Sequence, residues 1–515
     1  MTTVSQVQFQ AKAAGHTAVW FAVGIVLAAL SGVMLLLSFP PYGYWPLAWV
    51  ALVPATFAQY RLLPLRWSAL GPSLYLLFWL GPYLARLFGT QFGPFFTYLG
   101  VLIALLMFFI SNDRKFHEAT GFRWFVLAST CGWVGFEMVR ATFIPLIATS
   151  AFISYTQATQ TWLLQPVAIF SVYGFNLLII MVNYTLTQGL LAWYDRRFLP
   201  AGVHMNGRLA KRWLAIVGVI LIAWIGLSLF MLNRSQVDTP IVRVASLRSG
   251  FPLPAFQDEV NDDRVRFDTF ASQARDAALQ GAQVLFTSEM MFNFDPQQRY
   301  TEEFERLAHE LNALIYIDYT VTKGSEPYRN EAVLLYPSGE FSPVYAKNHV
   351  PPGEPLSAAA GAYPVLDTPF GKMAAMICHD ANYTDVARRL AANGSQLIAA
   401  GFREFQGFGE QAWTNVTFRA VENHTPIVMT GASYVSAVID PNGRQVALDA
   451  SYKGGPLVLV ADVPMGSGAT VYTRAGDVLG WLALAGFVFF SIFQAVTARR
   501  SKKAAAMQPS GSKEE

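Results

Sequence analysis

The sequence predicts a polytopic α-helical membrane domain joined to an α/β domain that lies outside the membrane. The composition is strongly apolar, with 53% hydrophobic and only 14% charged residues, which is typical of chains with several membrane spans. Long apolar runs fill the first part of the chain and return near its end. Between the last two runs, short β-rich segments alternate with amphipathic ones, a pattern that favours an α/β sheet covered by helices.

About eight apolar runs approach the roughly 20 residues that a membrane-spanning helix needs. The first is longer than a signal-peptide core and more runs follow it, so it is predicted to be an uncleaved span. The second is short. The runs are Ala18–Phe39, Pro46–Ala58, Ser68–Leu87, Pro94–Ile110, Trp124–Ile147, Trp162–Trp193, Trp213–Leu232 and Val478–Val496.

The charges of the connections predict the orientation. The connections "PPYGYW" and "SYTQATQT" contain no Lys or Arg, whereas the alternate connections and the C-terminal tail are basic. The positive-inside rule therefore places both termini in the cytoplasm. The predicted parts are a cytoplasmic N-terminus (1–17), a membrane domain of about seven spans (18–233), an extracytoplasmic domain (238–466), a final transmembrane helix (476–498) and a basic, disordered cytoplasmic tail (499–515).

The extracytoplasmic segment contains strand-like and helix-like runs. The predicted strands are 241–247, 283–289, 313–320, 332–339, 372–378, 396–400, 426–432 and 436–443. The predicted helices are Asp258–Leu279, Glu302–Asn312, Thr384–Ala392 and Gln411–Glu422. The segment "DPNG" (440–443) predicts a hairpin turn.

Charge and cysteine content exclude several classes of function. A net charge of +3 without basic patches interleaved with aromatics gives no indication of nucleic-acid binding. The two cysteines, Cys131 and Cys378, lie far apart and in no CxxC pattern, so we predict neither a disulfide framework nor a metal site.

Three predicted strands end near a reactive side chain: Glu289, Lys347 and Cys378. A thiol becomes a good nucleophile when a nearby base takes its proton. A neighbouring ammonium lowers the thiol pKa and stabilises an oxyanion. Together the three groups would form an acyl-transfer site that works through a thioester. Taken singly, each has a structural explanation, as a buried small side chain or as a surface charge.

These residues carry a resemblance to a known family. Glu after a strand, Lys ahead of "PPGE" and Cys in "MICHD" resemble the carbon-nitrogen hydrolase (nitrilase) superfamily. Such a domain among eight spans resembles the bacterial apolipoprotein N-acyltransferases of that superfamily. The segments "SFPPYGYWPLAWVALVP" (38–54), "WVGFEMVR" (133–140), "YTQ" (155–157) and "VYGFNLLIIMVN" (172–183) are similar to the membrane part of that family.

The resemblance implies a nitrilase-type αββα sandwich on a helical membrane domain. It implies that Cys378 is the nucleophile, Glu289 the general base and Lys347 the oxyanion-stabilising cation, with Glu354 supporting them. The implied reaction moves an acyl chain from a phospholipid to Cys378 and then to the α-amine of a diacylated lipoprotein. It needs no cofactor. The implied protein is a monomer of the bacterial inner membrane with its catalytic domain on the periplasmic side.

The chain also departs from the family. It has Cys378-His379-Asp380 where the family commonly has Cys-Tyr-Glu, so we include His379 and Asp380 as supporting residues. His379 could act as a second base, since its ring titrates near neutrality, or it could only donate a hydrogen bond.

A second departure is "GFREFQGFGEQAW" (401–413). Its phenylalanines, Phe402, Phe405 and Phe408, could form a lid that dips into lipid, or they could pack on the domain. Within a span, Arg140 could contact a lipid phosphate or pair with Glu137.

Two other functions remain in competition. A membrane-anchored amidase would hydrolyse the thioester with water, and a catalytically silent protein would only keep the nitrilase fold. Retention of all three reactive groups argues against the silent protein.

Overall fold

The computed structural model describes residues 2–110, 113–144, 148–199, 205–234, 239–250, 263–321, 328–352, 354, 361–404, 406–450 and 455–507. The N-terminal part is helical. Its helices are α1 Thr2–Ser38, α2 Val53–Phe57, α3 Leu70–Leu87, α4 Gly89–Ile110, α5 Asp113–Ala119, α6 Phe125–Phe143, α7 Thr161–Leu164, α8 Val167–Phe198 and α9 Gly207–Leu232.

Several of these helices have membrane dimensions. Over the part of the chain that is described, five stretches are long and apolar enough to cross a membrane: Ala18–Ser38, Gly93–Ala119, Val167–Phe198, Gly207–Leu232 and Val478–Arg500. Helices α3 and α6, with 18 and 19 residues, coincide with two further predicted spans. Many large apolar side chains on α4, α9 and the C-terminal helix are exposed, as lipid-facing positions require.

The predicted second span, Pro46–Ala58, is wrong as a continuous helix. This stretch forms a 3₁₀ turn (Trp45–Trp49), the one-turn α2 and a π turn (Ala58–Leu62). Pro46 and Pro54 each lie in the first turn of their segment. Because proline has no N–H to continue a preceding helix, it favours a new start at each of these positions.

The α/β part contains twelve strands among the described residues. They are β1 Ile241–Arg248, β2 Val284–Thr287, β3 Leu314–Val321, β4 Arg329–Leu335, β5 Tyr345–Ala346, β6 Leu366–Thr368, β7 Gly371–Ile377, β8 Leu397–Phe402, β9 Ile427–Gly431, β10 Ser436–Ile439, β11 Gln445–Asp449 and β12 Leu457–Pro464. The accompanying helices are α10 Asp263–Leu279, α11 Thr301–Leu311, α12 Asp385–Ala392 and α13 Gln406–Asn423.

The strands form two six-stranded sheets, in the orders β12-β1-β2-β3-β4-β5 and β11-β10-β9-β8-β7-β6. In each sheet the three strands that alternate with helices are parallel and the others are antiparallel. Val244 and Phe286 of the first sheet share a core with Met373 and Leu397 of the second. Helices α10 and α11 cover the outer face of the first sheet, and α12 and α13 cover the second. The layers are therefore αββα.

Helix α13 joins the sandwich to the membrane helices. Its Phe418 ring lies 5.1 Å from the Tyr155 ring and 6.3 Å from the Phe175 ring, centroid to centroid. Its Glu410 accepts two hydrogen bonds from Arg86, at the end of α3, at 2.6 and 2.8 Å. The second sheet is thus held against the membrane part through a shared helix.

After β12 the chain returns to the membrane through α14 (Val471–Ala475) and α15 (Val478–Met507). The prediction that the tail is disordered from residue 499 is wrong for residues 499–507, because α15 continues through them. Residues 508–515 lie outside the described part.

Candidate active site

The three predicted reactive groups follow strand ends and lie together. Glu289 follows β2, Lys347 follows β5 and Cys378 follows β7 directly. Their exposed fractions are 2%, 0% and 6%. Strands of two facing sheets thus deliver a carboxylate, an ammonium and a thiol to one buried site.

Lys347 is held between two carboxylates. Its Nζ donates to Glu289 Oε1 and to Glu354 Oε2, each at 2.9 Å. Glu289 also accepts from Asn330 Nδ2 at 2.7 Å on Oε1 and from the backbone N–H of Arg403 at 2.8 Å on Oε2. The buried carboxylate of Glu289 is therefore fixed by three donors, which preorganises it.

Cys378 occupies a strained turn. The backbone at this residue has φ +45°, in the left-handed region that non-glycine residues rarely adopt. A 3₁₀ turn, Cys378–Asn382, follows at once. The thiol Sγ lies 3.8 Å from the carbonyl oxygen of Arg403, the residue whose N–H donates to Glu289. The sharp turn presents the thiol beside its candidate base.

The electrostatics favour a neutral thiol beside an ionised base. Burial raises the pKa of the Cys378 thiol well above its ordinary value, as does the Glu289 charge, and Lys347 only partly offsets both. Burial also opposes ionisation of Glu289, but the charge of Lys347 and the hydrogen bonds to the carboxylate lower its pKa. Burial would lower the pKa of Lys347, yet the neighbouring Glu289 raises it. The resting site can thus hold a thiol, a carboxylate and an ammonium.

Asp380 connects the loop that carries Lys347 to the turn that carries Cys378. Oδ1 accepts from the backbone N–H groups of Asn348 at 3.1 Å and His349 at 2.7 Å. Oδ2 accepts from the Tyr345 hydroxyl at 2.6 Å and from Ile377 N–H at 3.0 Å. Three of these bonds come from residues that flank Lys347 in sequence and the fourth comes from Ile377, which precedes Cys378, so Asp380 sets the position of Lys347 relative to the thiol.

His379 takes part in a buried chain of amides. Asn415 Nδ2 donates to Asn382 Oδ1 at 2.7 Å, and Asn382 Nδ2 lies 3.0 Å from His379 Nδ1. In this network the Asn382 side-chain amide donates to the histidine, so His379 Nδ1 is the acceptor. His379, next to the nucleophile, therefore accepts a hydrogen bond at Nδ1.

The same turn is attached to the membrane part. The Asn382 carbonyl accepts from Thr149 Oγ1 at 2.6 Å and from Thr149 N–H at 3.3 Å. Thr149 Oγ1 in turn accepts from the Tyr155 hydroxyl at 2.8 Å. The loop between α6 and α7 thus holds the turn that carries Cys378 through these hydrogen bonds.

The predicted aromatic lid is wrong for Phe402. Phe402 is the last residue of β8 and is fully buried, because its side chain belongs to the core that includes the second sheet. Phe408 lies within α13, partly buried against that core. Phe405 lies outside the described residues.

Within the span, Arg140 and Glu137 have separate partners. Arg140 donates to the Ser150 carbonyl, and its guanidinium lies 5.2 Å from the centre of the Phe152 ring. Glu137 accepts from Trp133 Nε1 at 3.0 Å and from Asn176 Nδ2 at 2.8 Å. Arg140 therefore supports the loop beneath the active site, and its contact with lipid stays a prediction.

Sequence reasoning missed three contributors to the site. Asn330 donates to Glu289, Tyr345 donates to Asp380, and the Arg403 backbone contacts both Glu289 and Cys378. Asn330, a polar residue next to the strand-like "AVLLY", offered a signal, as did Tyr345 beside Lys347. The Arg403 contacts come from main-chain atoms and leave no signal in the side-chain pattern.

Comparison with known proteins relates both the membrane part and the α/β part to described families. The profile described as "Carbon-nitrogen hydrolase" matches residues 295–472, and that described as "Apolipoprotein N-acyltransferase N-terminal domain" matches residues 31–185. An apolipoprotein N-acyltransferase of Geobacter metallireducens is 27% identical over 90% of this chain and 93% of its own length. The chain is thus similar along most of its length to the apolipoprotein N-acyltransferases of the carbon-nitrogen hydrolase superfamily. It is a membrane N-acyltransferase.

Other similarities cover a smaller share of the chain. A probable nitrilase of Schizosaccharomyces pombe is 31% identical over 26% of this chain and 53% of its own length. The crystal structure of an amidase from Nesterenkonia sp. covers 47% of this chain and 95% of its own, with 21% identity and a TM-score of 0.39.

Proposed function

We propose that this chain transfers an acyl chain from a phospholipid, through a thioester on Cys378, to the α-amine of a diacylated lipoprotein N-terminus. The observation that carries the proposal is the buried cluster in which Lys347 pairs with Glu289 and the Arg403 backbone contacts both Glu289 and Cys378, in a domain that shares α13 with the membrane helices. Phospholipid and lipidated acceptor are both anchored in a bilayer, so a catalytic site attached to membrane helices can reach both.

In the first half-reaction, Glu289 accepts the Cys378 proton while Sγ attacks the ester carbonyl carbon of the phospholipid. Lys347 stabilises the oxyanion that develops. The carbon–oxygen bond breaks, the lysophospholipid alkoxide takes the proton from Glu289, and the acyl thioester remains. Because the thiol is neutral at rest, this transfer to an adjacent base is the step that activates it.

In the second half-reaction, the neutral α-amine attacks the thioester and Glu289 accepts an amine proton. The nitrogen–carbon bond forms, the carbon–sulfur bond breaks, and the proton passes to the leaving thiolate. Glu354 pairs with Lys347 and Asp380 fixes the loop that carries it, so both have positioning roles.

The charges of the connections support an orientation with both termini in the cytoplasm and the α/β domain on the periplasmic side of the inner membrane. The segments 18–233, 238–466 and 476–498 then serve as membrane domain, catalytic domain and final anchor. One chain contributes all three reactive groups, which is consistent with a functional monomer.

The test supplies detergent-solubilised protein with acyl-labelled phospholipid and a diacylated lipopeptide. We expect label on the lipopeptide nitrogen, lost in Cys378→Ala. Label released only as free fatty acid would support the membrane-anchored hydrolase, and no turnover of any kind would support the silent protein.

A further inference from the structure

The side chain of Arg403 branches from the backbone at the centre of the active site. Its N–H donates to Glu289 Oε2 at 2.8 Å, and its carbonyl lies 3.8 Å from Cys378 Sγ. The Arg403 guanidinium therefore lies at most one arginine side-chain length from the backbone atoms that contact the candidate base and the nucleophile. Substituting the side chain leaves these two backbone contacts available.

The next residue fixes this segment. The buried Glu404 carboxylate accepts backbone N–H bonds from Ala432 at 3.1 Å, Tyr434 at 2.7 Å and Val435 at 3.0 Å. Phe402, on the other side, is buried in β8. Arg403 is thus held between two anchored neighbours, and its side chain starts from a defined point.

The guanidinium lies beside the residue that follows the candidate base in sequence, because Arg403 Nη1 is 3.2 Å from Met290 Sδ. Arg403 is only partly buried, unlike Lys347. A cation with a partly exposed side chain therefore lies next to the candidate active site.

The charges of the site indicate a role for the Arg403 cation. Lys347 is already shared by the carboxylates of Glu289 and Glu354, so an anionic substrate entering beside them meets a site that Lys347 alone does not make positive. Arginine binds phosphate with two parallel hydrogen bonds. In a phosphoglyceride only glycerol carbons and ester oxygens separate phosphorus from the acyl carbonyl, a span that one arginine side chain can match.

We propose that Arg403 binds the phosphate of the acyl-donor phosphoglyceride and selects phosphate-bearing donors in the first half-reaction. This inference rests on the proposed function. The second half-reaction does not use Arg403, because the phosphate has left with the lysophospholipid.

The test compares two acyl donors in neutral detergent micelles that contain no other phosphate: phosphatidylethanolamine and the p-nitrophenyl ester of the same fatty acid. Thioester formation on Cys378 is measured for the wild type, Arg403→Gln, Arg403→Lys and the control Arg275→Gln, whose arginine pairs with Glu310 on the surface of the domain. Acyl-enzyme prepared with the p-nitrophenyl ester is then chased with a diacylated lipopeptide.

For Arg403→Gln we expect kcat/KM to fall about 10- to 100-fold further with phosphatidylethanolamine than with the p-nitrophenyl ester, the equivalent of one or two charge-assisted hydrogen bonds. Arg403→Lys should recover part of the loss, and the chase should be unchanged. Equal losses with both donors, or no loss with either, would overturn the inference. A wild type that forms thioester from the p-nitrophenyl ester but never from phosphatidylethanolamine would instead overturn the proposed function.

Discussion

Removing the charge of Asp380 should shift Lys347 relative to Cys378 while both residues stay unchanged. Asp380 accepts four hydrogen bonds, two on each oxygen. In Asp380→Asn one acceptor oxygen becomes an NH₂ group that faces at least one buried backbone N–H. The loss of two accepted bonds and the unsatisfied donor predict a destabilisation of about 2–4 kcal/mol.

The same substitution should slow the chemistry. A displacement of Lys347 by about 1 Å can cost on the order of 10²-fold in rate, so thioester formation should fall by about that factor. The assay combines the unfolding midpoint in detergent with the rate of Cys378 acylation by a p-nitrophenyl ester. The matched control is Asp367→Asn, whose carboxylate is 85% exposed and should matter little. If Asp380→Asn matched that control in both stability and rate, the positioning role assigned to Asp380 would be wrong.

Four further predictions follow from the site and the fold. Glu289→Gln should slow thioester formation by about 10²-fold or more, and Lys347→Met by a similar factor, measured by label on Cys378; near-normal rates in either variant would contradict the assigned role. Because the pKa of Glu289 lies below its ordinary 4.5, the base stays ionised as the pH falls from about 7 to about 5.5, so the rate of thioester formation should hold across that range, and an acidic limb within it would exclude Glu289 as the base. Phe402→Ala should destabilise the protein by about 3–5 kcal/mol and reduce turnover of micellar and soluble esters alike, whereas a selective loss with micellar esters would restore the lid. A reporter fused near Tyr300 should register outside the cytoplasm and one after Lys503 inside; a cytoplasmic signal near Tyr300 would reverse the orientation.

The sequence predicted the elements that have strong periodicity. Long apolar runs marked the membrane-length helices, and the β-rich runs marked the strands that form the centre of each sheet. The edge strands β6, β11 and β12 were missed, and β5, the fourth edge strand, was indicated only by the Lys347 that follows it. Strands β5 and β6 have two and three residues, too few for a period to show. The second span was mispredicted because an apolar average conceals the helix breaks at Pro46 and Pro54.

At the site, reactive residue types at strand ends pointed to Glu289, Lys347 and Cys378 before their contacts were known. The supporting groups could not be predicted in the same way. The Arg403 contacts are made by its backbone, and three of the four bonds to Asp380 come from backbone N–H groups, so both depend on tertiary position and not on residue type. Phe402 misled for the opposite reason, since a ring in a glycine-containing stretch (401–409) suggests a loop until the sheet that buries it is known.

The central claim is that a phospholipid acyl chain becomes a thioester on Cys378 and then an amide on a lipidated amine. Mass measurement of the peptide that contains Cys378, after mixing the protein with phosphatidylethanolamine of one defined acyl chain, tests this claim most directly. The account predicts that this peptide gains the mass of that acyl group and loses it when a diacylated lipopeptide is added, with the same mass appearing on the lipopeptide amine. An unmodified Cys378 peptide while the lipopeptide is still acylated would contradict the account.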